Sequence, residues 1–241
     1  MGSEERFYSP KFYRQLDATR DAAREILPII IDLLKPASMV DVGCGAGHWL
    51  AAAAELGIND ILGVDGEWAL KTQLAIPREK FVAHDLRTPL KLGRKFDVAL
   101  SLEVAEHLPE SHAETLVETL CELAGRVVFS AAIPGQGGRH HVNEQWPGYW
   151  ADLFRRCGYE CCDVLRSRIW DNPRVMWYYA QNCLIFAREG VLAHLGAPAR
   201  PLSLVHPGLW SAHVTQMNSP GKLLERLPKA LLSRLKRQPG K

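Results

Sequence analysis

The stretch Val40-Asp-Val-Gly-Cys-Gly-Ala-Gly-His48 decides the reading of this chain. It completes a short apolar run from Ser38, which reads as a buried strand. Residues 47–56 follow as strongly helix-forming sequence and end at Gly57, a residue suited to a C-cap. Three alternate glycines, Gly43, Gly45 and Gly47, let the backbone turn tightly and approach a ligand with no Cβ between them. The helix start then aims free N–H groups at the same spot. A dinucleotide turn wants G-x-G-x-x-G, with its third glycine at position 48; here that position is His48, and the third glycine comes one residue early. Asp41 suits a cationic amino-acid moiety better than a pyrophosphate, which it would repel.

Working outward, residues 9–34 carry apolar side chains at helical spacing until Pro36 stops them. Downstream, strands are predicted over 60–65, 81–85, 96–102 and 126–133, with a helix over 111–124. Strands alternating with helices imply a parallel sheet covered on both faces. After Pro134 no period fits until a helix over 149–157, stopped by Gly158. Residues 159–169 and 176–187 alternate enough to predict two further strands, an antiparallel, hairpin-like pair joined through the loop Trp170–Arg174. Residues 190–218 read as irregular. From Ser219 onward, Leu223, Leu227, Leu231 and Leu235 recur at every fourth position among basic groups, and Pro228 divides the stretch into two short helices. The expected organisation is an N-terminal helical cap (1–37), a central α/β domain (38–189), and a C-terminal extension (190–241).

Composition narrows the function classes. The chain has 241 residues, 47% of them apolar, with 29 basic and 27 acidic side chains and a net charge of +2. That is globular, and too balanced for nucleic acid as the main partner. Residues 222–241 hold seven basic groups against the single acid Glu225, so the rest of the chain sums to −4. No run of 18 apolar residues exists, and the N-terminus opens with acids rather than a signal-like basic region. The six cysteines form no Cys-x-x-Cys pair. Reduced thiols, a cytoplasmic location, and neither zinc nor disulfides are the expectation. The basic leucine-spaced tail suits docking on its own domain, a partner subunit or an anionic membrane surface.

The strand ends carry the remaining signals. Asp65 and Gly66 close the second strand, where a carboxylate can accept from ribose hydroxyls. Asp85 closes the third in His84-Asp-Leu-Arg87, and an acid there can accept from an adenine amino group. The fourth ends in Ser101-Leu-Glu103, at the sheet edge where open α/β folds bind ligands. The runs VDVGCGAGHW, GVDG, HDL and FDVALSLEVAEHLPE, in order and spacing over residues 38–133, resemble the motifs of class I S-adenosylmethionine-dependent methyltransferases. The resemblance implies a doubly wound seven-stranded α/β sheet with its last strand antiparallel. It also implies a site with S-adenosyl-L-methionine as cofactor. Asp41, Gly43, Gly45 and Gly47 would surround the methionine part, Asp65 and Gly66 the ribose, Asp85 and Leu86 the adenine, and Leu102 and Glu103 would close the pocket. The aromatic segment Phe7–Tyr13 resembles the flap that covers the cofactor in relatives, with Tyr8 and Tyr13 as candidates.

An alcohol acceptor needs its proton removed, so a histidine at this edge favours oxygen. Two clusters offer one: Glu103, Glu106 and His107 after the fourth strand, and Arg139-His-His-Val-Asn-Glu-Gln-Trp146 after the fifth. The second loop has no apolar period and is not built for core packing. His141 is the first candidate base, then His140 and Glu144, with His107 beside them. HVNEQWPGYWADLF is similar to a stretch of bacterial methyltransferases tied to saccharide and glycosylated natural-product pathways, which implies a small-molecule or oligosaccharide acceptor. Trp146, Tyr149, Trp150, Trp170, Trp177 and Tyr178 suit either stacking on sugar faces or core packing. No ligand spacing dictates a metal; Mg²⁺ is open but not indicated. The alternatives are methylation of a non-sugar metabolite at nitrogen or oxygen, and a non-catalytic cofactor-binding protein of the same fold. A nucleic-acid methyltransferase would carry Asn/Asp-Pro-Pro-Tyr/Phe where Ser101-Leu-Glu103 stands. Homo-oligomerisation is left open.

Overall fold

Apolar side chains that alternate along each strand and recur every third or fourth residue along each helix sort this chain into a sheet with helices on both faces. The computed structural model describes residues 10–195, 200–217 and 221. Seven strands, β1 (Ser38–Val42), β2 (Asp60–Asp65), β3 (Phe81–Ala83), β4 (Val98–Leu102), β5 (Arg126–Ser130), β6 (Tyr159–Cys162) and β7 (Leu184–Arg188), form one sheet. Their order is β3-β2-β1-β4-β5-β7-β6. Only β7, the last strand, runs antiparallel to its neighbours. The doubly wound α/β sheet implied by the sequence motifs is therefore present.

The two sheet faces carry separate cores. Met39, Val98, Leu100, Val128 and Ile185 face α1 (Pro10–Leu34) and α2 (His48–Glu55). Val40, Val42, Ala99, Val127, Phe129 and Phe186 face the other way, toward α3 (Ala113–Leu123) and α4 (Pro147–Arg156). Along α1, Ala22, Ala23, Ile26, Leu27 and Ile30 have no exposed surface. Burying each large aliphatic contributes about 1.5–3 kcal/mol, enough for α1 to tolerate Pro28 within it and the hydrogen bond that a proline cannot donate. On the second face Phe154 stacks on Phe186 with ring centroids 4.0 Å apart, and Trp150 packs 5.1 Å from Phe129. Trp150, offered by the sequence as a sugar platform, is a core residue.

Two expectations need correction. Residues 159–187 do not form a hairpin-like pair of long strands. β6 and β7 do pair antiparallel, but α5 (Arg166–Ile169) and α6 (Trp177–Asn182) lie between them. Arg166 explains the first departure. Its guanidinium pairs with Asp163 three residues back and donates to the Leu202 carbonyl at 2.9 Å, an arrangement for a buried cation that a helical turn supplies and a strand does not. In α6, Tyr179 and Ala180 are buried side by side, with Tyr179 edge-on to Trp49 at 5.3 Å. Residues 190–218 are not irregular throughout either: α7 spans Pro207–Met217, with proline at its first position and His206 Nδ1 accepting the Gly208 N–H at 2.9 Å.

The chain divides into two compact units, one through Leu204 and a second from Val205 that contains α7. The side chains of Tyr8 and Tyr13, and the basic tail from residue 222, lie outside the described residues. Among the described residues no helix is long and apolar enough to cross a membrane.

The glycine turn after β1 is a backbone requirement. Gly43, Gly45 and Gly47 have φ of 89°, 55° and 85°, where an L side chain is strained. A Cβ on Gly43 would also lie 2.4 Å from Val104. Gly43→Ala should cost about 1–3 kcal/mol in urea unfolding, whereas Gly125→Ala, which meets open space, should stay within about 0.5 kcal/mol of wild type. Equal effects at the two positions would remove the strain argument.

Candidate active site at the carboxyl edge of the sheet

The chain reverses its winding between β1 and β4, and that reversal opens a crevice beyond the strand ends. A pocket of about 960 Å³ lies there, lined by Gly43, Gly45, Asp65, Gly66, Trp68, Asp85, Leu86, Glu103, His107 and His140 among others. Asp41, Gly47, Leu102, His141 and Glu144 do not line it; His141 stands one residue behind the lining His140. Gly47 instead packs against Ile76, which a Cβ would meet at 2.9 Å.

One end of the pocket is built from backbone. Asp65 is 6% exposed. Its Oδ2 accepts the Gly45 N–H at 2.7 Å and its Oδ1 the Gly66 N–H at 2.7 Å, so the carboxylate ties the β1 turn to the β2 end. Each oxygen keeps a second lone pair for a hydroxyl. Asp41 lies deeper. Its Oδ2 is buried with no hydrogen-bond partner, and burial, with the nearby Asp65 charge, pushes its pKa up to about 8. A buried acid in that state is stabilised by a cation placed against it. Asp85 is exposed and paired with Arg87 at 2.7 Å, which holds it down at about 2. Trp68, directly after the Gly66 turn, is 58% exposed, its indole against Gly66. Sequence reasoning missed Trp68 and Arg87; the signal available was a large aromatic in a stretch with no apolar period.

The other end is a loop held onto a turn. After β4 the chain passes Glu103 at φ 56°, and the Glu103 N–H donates to Ser130 on the neighbouring strand at 3.0 Å. The Glu106 carbonyl then accepts the N–H groups of Val142 (2.8 Å) and Asn143 (3.1 Å), which fastens the 134–146 loop against this turn. That fastening brings the rings of His107 and His141 to 4.9 Å between centroids, edge to face. Glu144 organises the loop: it accepts from Gly135 N (2.8 Å), Gly137 N (2.7 Å) and faces His141 Nδ1 at 2.9 Å. It orients His141 rather than lining the pocket. His107 Nδ1 faces the His140 carbonyl at 3.3 Å, and burial lowers the His107 pKa. A Cβ on Gly138 would fall 2.1 Å from His141 Nε2, so a glycine is what lets the backbone pass this close to the ring.

Beneath the loop lies an amide network with no sequence signature of its own. Glu103 accepts from Asn182 Nδ2 at 3.0 Å and Gln136 Nε2 at 2.8 Å. Asn182 comes from α6, the helix that the strand expectation overlooked. Glu106 is fully buried beside Glu103, and its pKa rises to about 9 through burial and that neighbouring charge.

These shifts fix a pH dependence. Asp41 in the folded chain holds its proton to about 8, against 3.8 when unfolded. Its contribution is full below about pH 4 and is lost as pH rises toward 8, because the unfolded state then gains by ionising. The ligand-free chain should lose stability across that window in urea titrations. Asp41→Asn should flatten the slope, and an unchanged slope would contradict the assignment.

The family described as "Methyltransferase domain" matches residues 13–157, more than half of the chain. No curated protein matches significantly in sequence. Among solved structures, Streptomyces venezuelae DesVI is similar with 17% identity and a TM-score of 0.56, covering 78% of this chain and 99% of its own. CalS10, an amino pentose methyltransferase from Micromonospora echinaspora, has 16% identity and a TM-score of 0.57, covering 75% and 98%. The magnesium protoporphyrin IX methyltransferase of Synechocystis PCC 6803, solved with bound SAH, has 17% identity and a TM-score of 0.54, covering 77% and 97%. At these identities the likeness speaks for the fold. With the family match spanning the glycine turn and the strand-end acids, the chain belongs to the methyltransferase-domain family, the class I S-adenosylmethionine-dependent fold.

Proposed function

We propose that the protein transfers a methyl group from S-adenosylmethionine to a hydroxyl of a saccharide or glycosylated small molecule, with histidine assistance. The observation that carries this reading is His141, oriented by Glu144 at 2.9 Å and set beside His107 at one end of a pocket. The opposite end of that pocket is edged by the Asp65 carboxylate, with Asp41 behind the glycine turn. When bound, the cofactor supplies an electrophilic methyl group on a sulfonium.

The residues fit that cofactor. The unpartnered Asp41 oxygen suits the positively charged methionine moiety, and Gly45 presents backbone with open space before it. Asp65 keeps lone pairs for ribose hydroxyls. Asp85, Leu86 and the exposed Trp68 would surround the adenine end, and Glu103 would close the wall. On the acceptor side, His141 Nε2 would take the hydroxyl proton as the methyl group leaves sulfur for oxygen, the thioether departing neutral, and would pass that proton to solvent. Glu144 stabilises the imidazolium, as a carboxylate does for any oriented general base. His140 and His107, which line the pocket, position the acceptor.

The saccharide assignment is supported by the HVNEQWPGYWADLF stretch and by Trp146, which is 40% exposed at its centre. A small molecule is favoured over nucleic acid by the negative balance outside the tail.

Calorimetry with S-adenosylhomocysteine should show binding that Asp65→Ala abolishes. Retained binding in that variant would overturn the ribose assignment. His141→Ala should keep that binding and lose about a hundredfold or more in turnover, measured by transfer of labelled methyl to a saccharide panel. Wild-type turnover in the variant would remove His141 from the reaction.

A further inference from the structure

The acids at this sheet edge are not equally provided for. Asp65 takes two backbone N–H groups, Glu103 two side-chain amides, and Glu144 two backbone N–H groups and an imidazole. Glu106 is 0% exposed; its carboxyl has the Glu106 and Ala132 N–H groups and the Glu103 carboxyl beside it, but neither oxygen reaches a donor in full hydrogen-bonding geometry. A buried acid so placed stays protonated in the free chain, and a cation placed against it would favour its ionised form. The ligand atoms nearest to hand belong to His107 and His141: one from each of the three side chains lies within 4.8 Å of the other two.

The two imidazoles are arranged as metal-bound histidines are. His141 Nδ1 faces the Glu144 carboxylate at 2.9 Å, and His107 Nδ1 faces the His140 carbonyl at 3.3 Å. Acceptors at Nδ1 fix the proton there and leave the Nε2 lone pair for an ion. The Gly138 backbone passes close beside this ring, since a Cβ there would fall 2.1 Å from His141 Nε2. Ligands of a tetrahedral ion at about 2.1 Å sit roughly 3.4 Å apart, so small side-chain rotations close the set.

We propose that Glu106, His107 and His141 bind a divalent first-row transition ion, of the Mn²⁺, Co²⁺ or Zn²⁺ kind, at the acceptor end of the pocket. Two imidazoles and one carboxylate select such an ion over Mg²⁺ or Ca²⁺, which prefer oxygen throughout. Three protein ligands leave coordination positions open toward the pocket. This deepens the proposed function and rests on it in one respect: an ion there would hold the acceptor hydroxyl and lower its pKa, in place of direct proton transfer to His141 Nε2. His141 then serves deprotonation as a ligand, and the proton leaves to solvent.

The test is titration of the metal-stripped full-length chain with Co²⁺, followed by visible absorption and calorimetry, with Mn²⁺, Zn²⁺, Mg²⁺ and Ca²⁺ in parallel. The expected result is one equivalent of Co²⁺ with ligand-field bands. Glu106→Gln should weaken binding at least tenfold, and Glu144→Gln, which removes only the carboxylate behind His141, about 10–100-fold. Gly138→Ala removes no ligand, yet its Cβ would displace the His141 ring and should weaken Co²⁺ comparably. If Glu106→Gln does not fold, His107→Ala, exposed at the pocket edge, reads the same quantity. No uptake by wild type, uptake undiminished in these variants, or equal affinity for Mg²⁺ would overturn the proposal. S-adenosylhomocysteine titrated into the same stripped samples separates the two readings: product binding without metal uptake overturns the ion site alone, and metal uptake without product binding overturns the methyl-transfer reading alone.

Discussion

Four carboxylates converge at the carboxyl edge of one sheet: Asp41 and Asp65 from β1 and β2, Glu103 and Glu106 from the turn after β4. Three of them have less than a tenth of their surface exposed. Buried negative charge is the constraint around which the neighbourhood is organised, since an unpaired carboxylate in a poorly solvated place must be hydrogen-bonded, protonated or matched by a cation. Asp65 and Glu103 take the first course, with backbone and amide donors. Asp41 and Glu106, displaced to about 8 and about 9, take the second and hold their protons at neutral pH. A fold that keeps such groups gives up stability as a free chain and recovers it when a cationic ligand arrives.

The same edge concentrates unusual backbone. Outside glycine, positive φ among the described residues occurs at Lys35, Glu103 and His140, and the last two border the pocket. Glu103 is held in that conformation by its N–H bond to Ser130 and by Gln136 and Asn182 on its carboxylate. Strain of this kind persists where surrounding contacts over-determine it, and here it aims the carboxylate inward between two loops.

The sequence was legible where chemistry and periodicity coincide. Gly43, Gly45 and Gly47 stand in a strand-to-helix turn because that turn requires positive φ, and Asp65 and Asp85 mark strand ends because apolar runs stop there. The sheet order then followed from the motifs. Residues 159–187 were misread because short helices rich in aromatics can alternate in polarity over a few positions as a strand does. What separates them is Arg166 folding back on Asp163, a tertiary matter. The network of Gln136, Asn182 and Glu103 was illegible for a related reason: its members lie far apart in the chain, and no period links them.

The pocket is therefore made of two independently supported halves. Backbone of the β1 and β2 ends forms one, fixed by glycine conformations that any substitution disturbs. The other is a loop joined to the rest through the Glu106 carbonyl, the Gln145 bond to Ala132, and the Glu144 contacts. Loops carried on a rigid scaffold can change their side chains without disturbing what holds them. Here the holding is done largely by backbone groups and Glu144, while His107, Arg139 and His140 point to the pocket as replaceable side chains. Under the proposed function, acceptor preference would reside in residues 134–146 and the turn they rest on, and the glycine turn could stay constant while that preference changed.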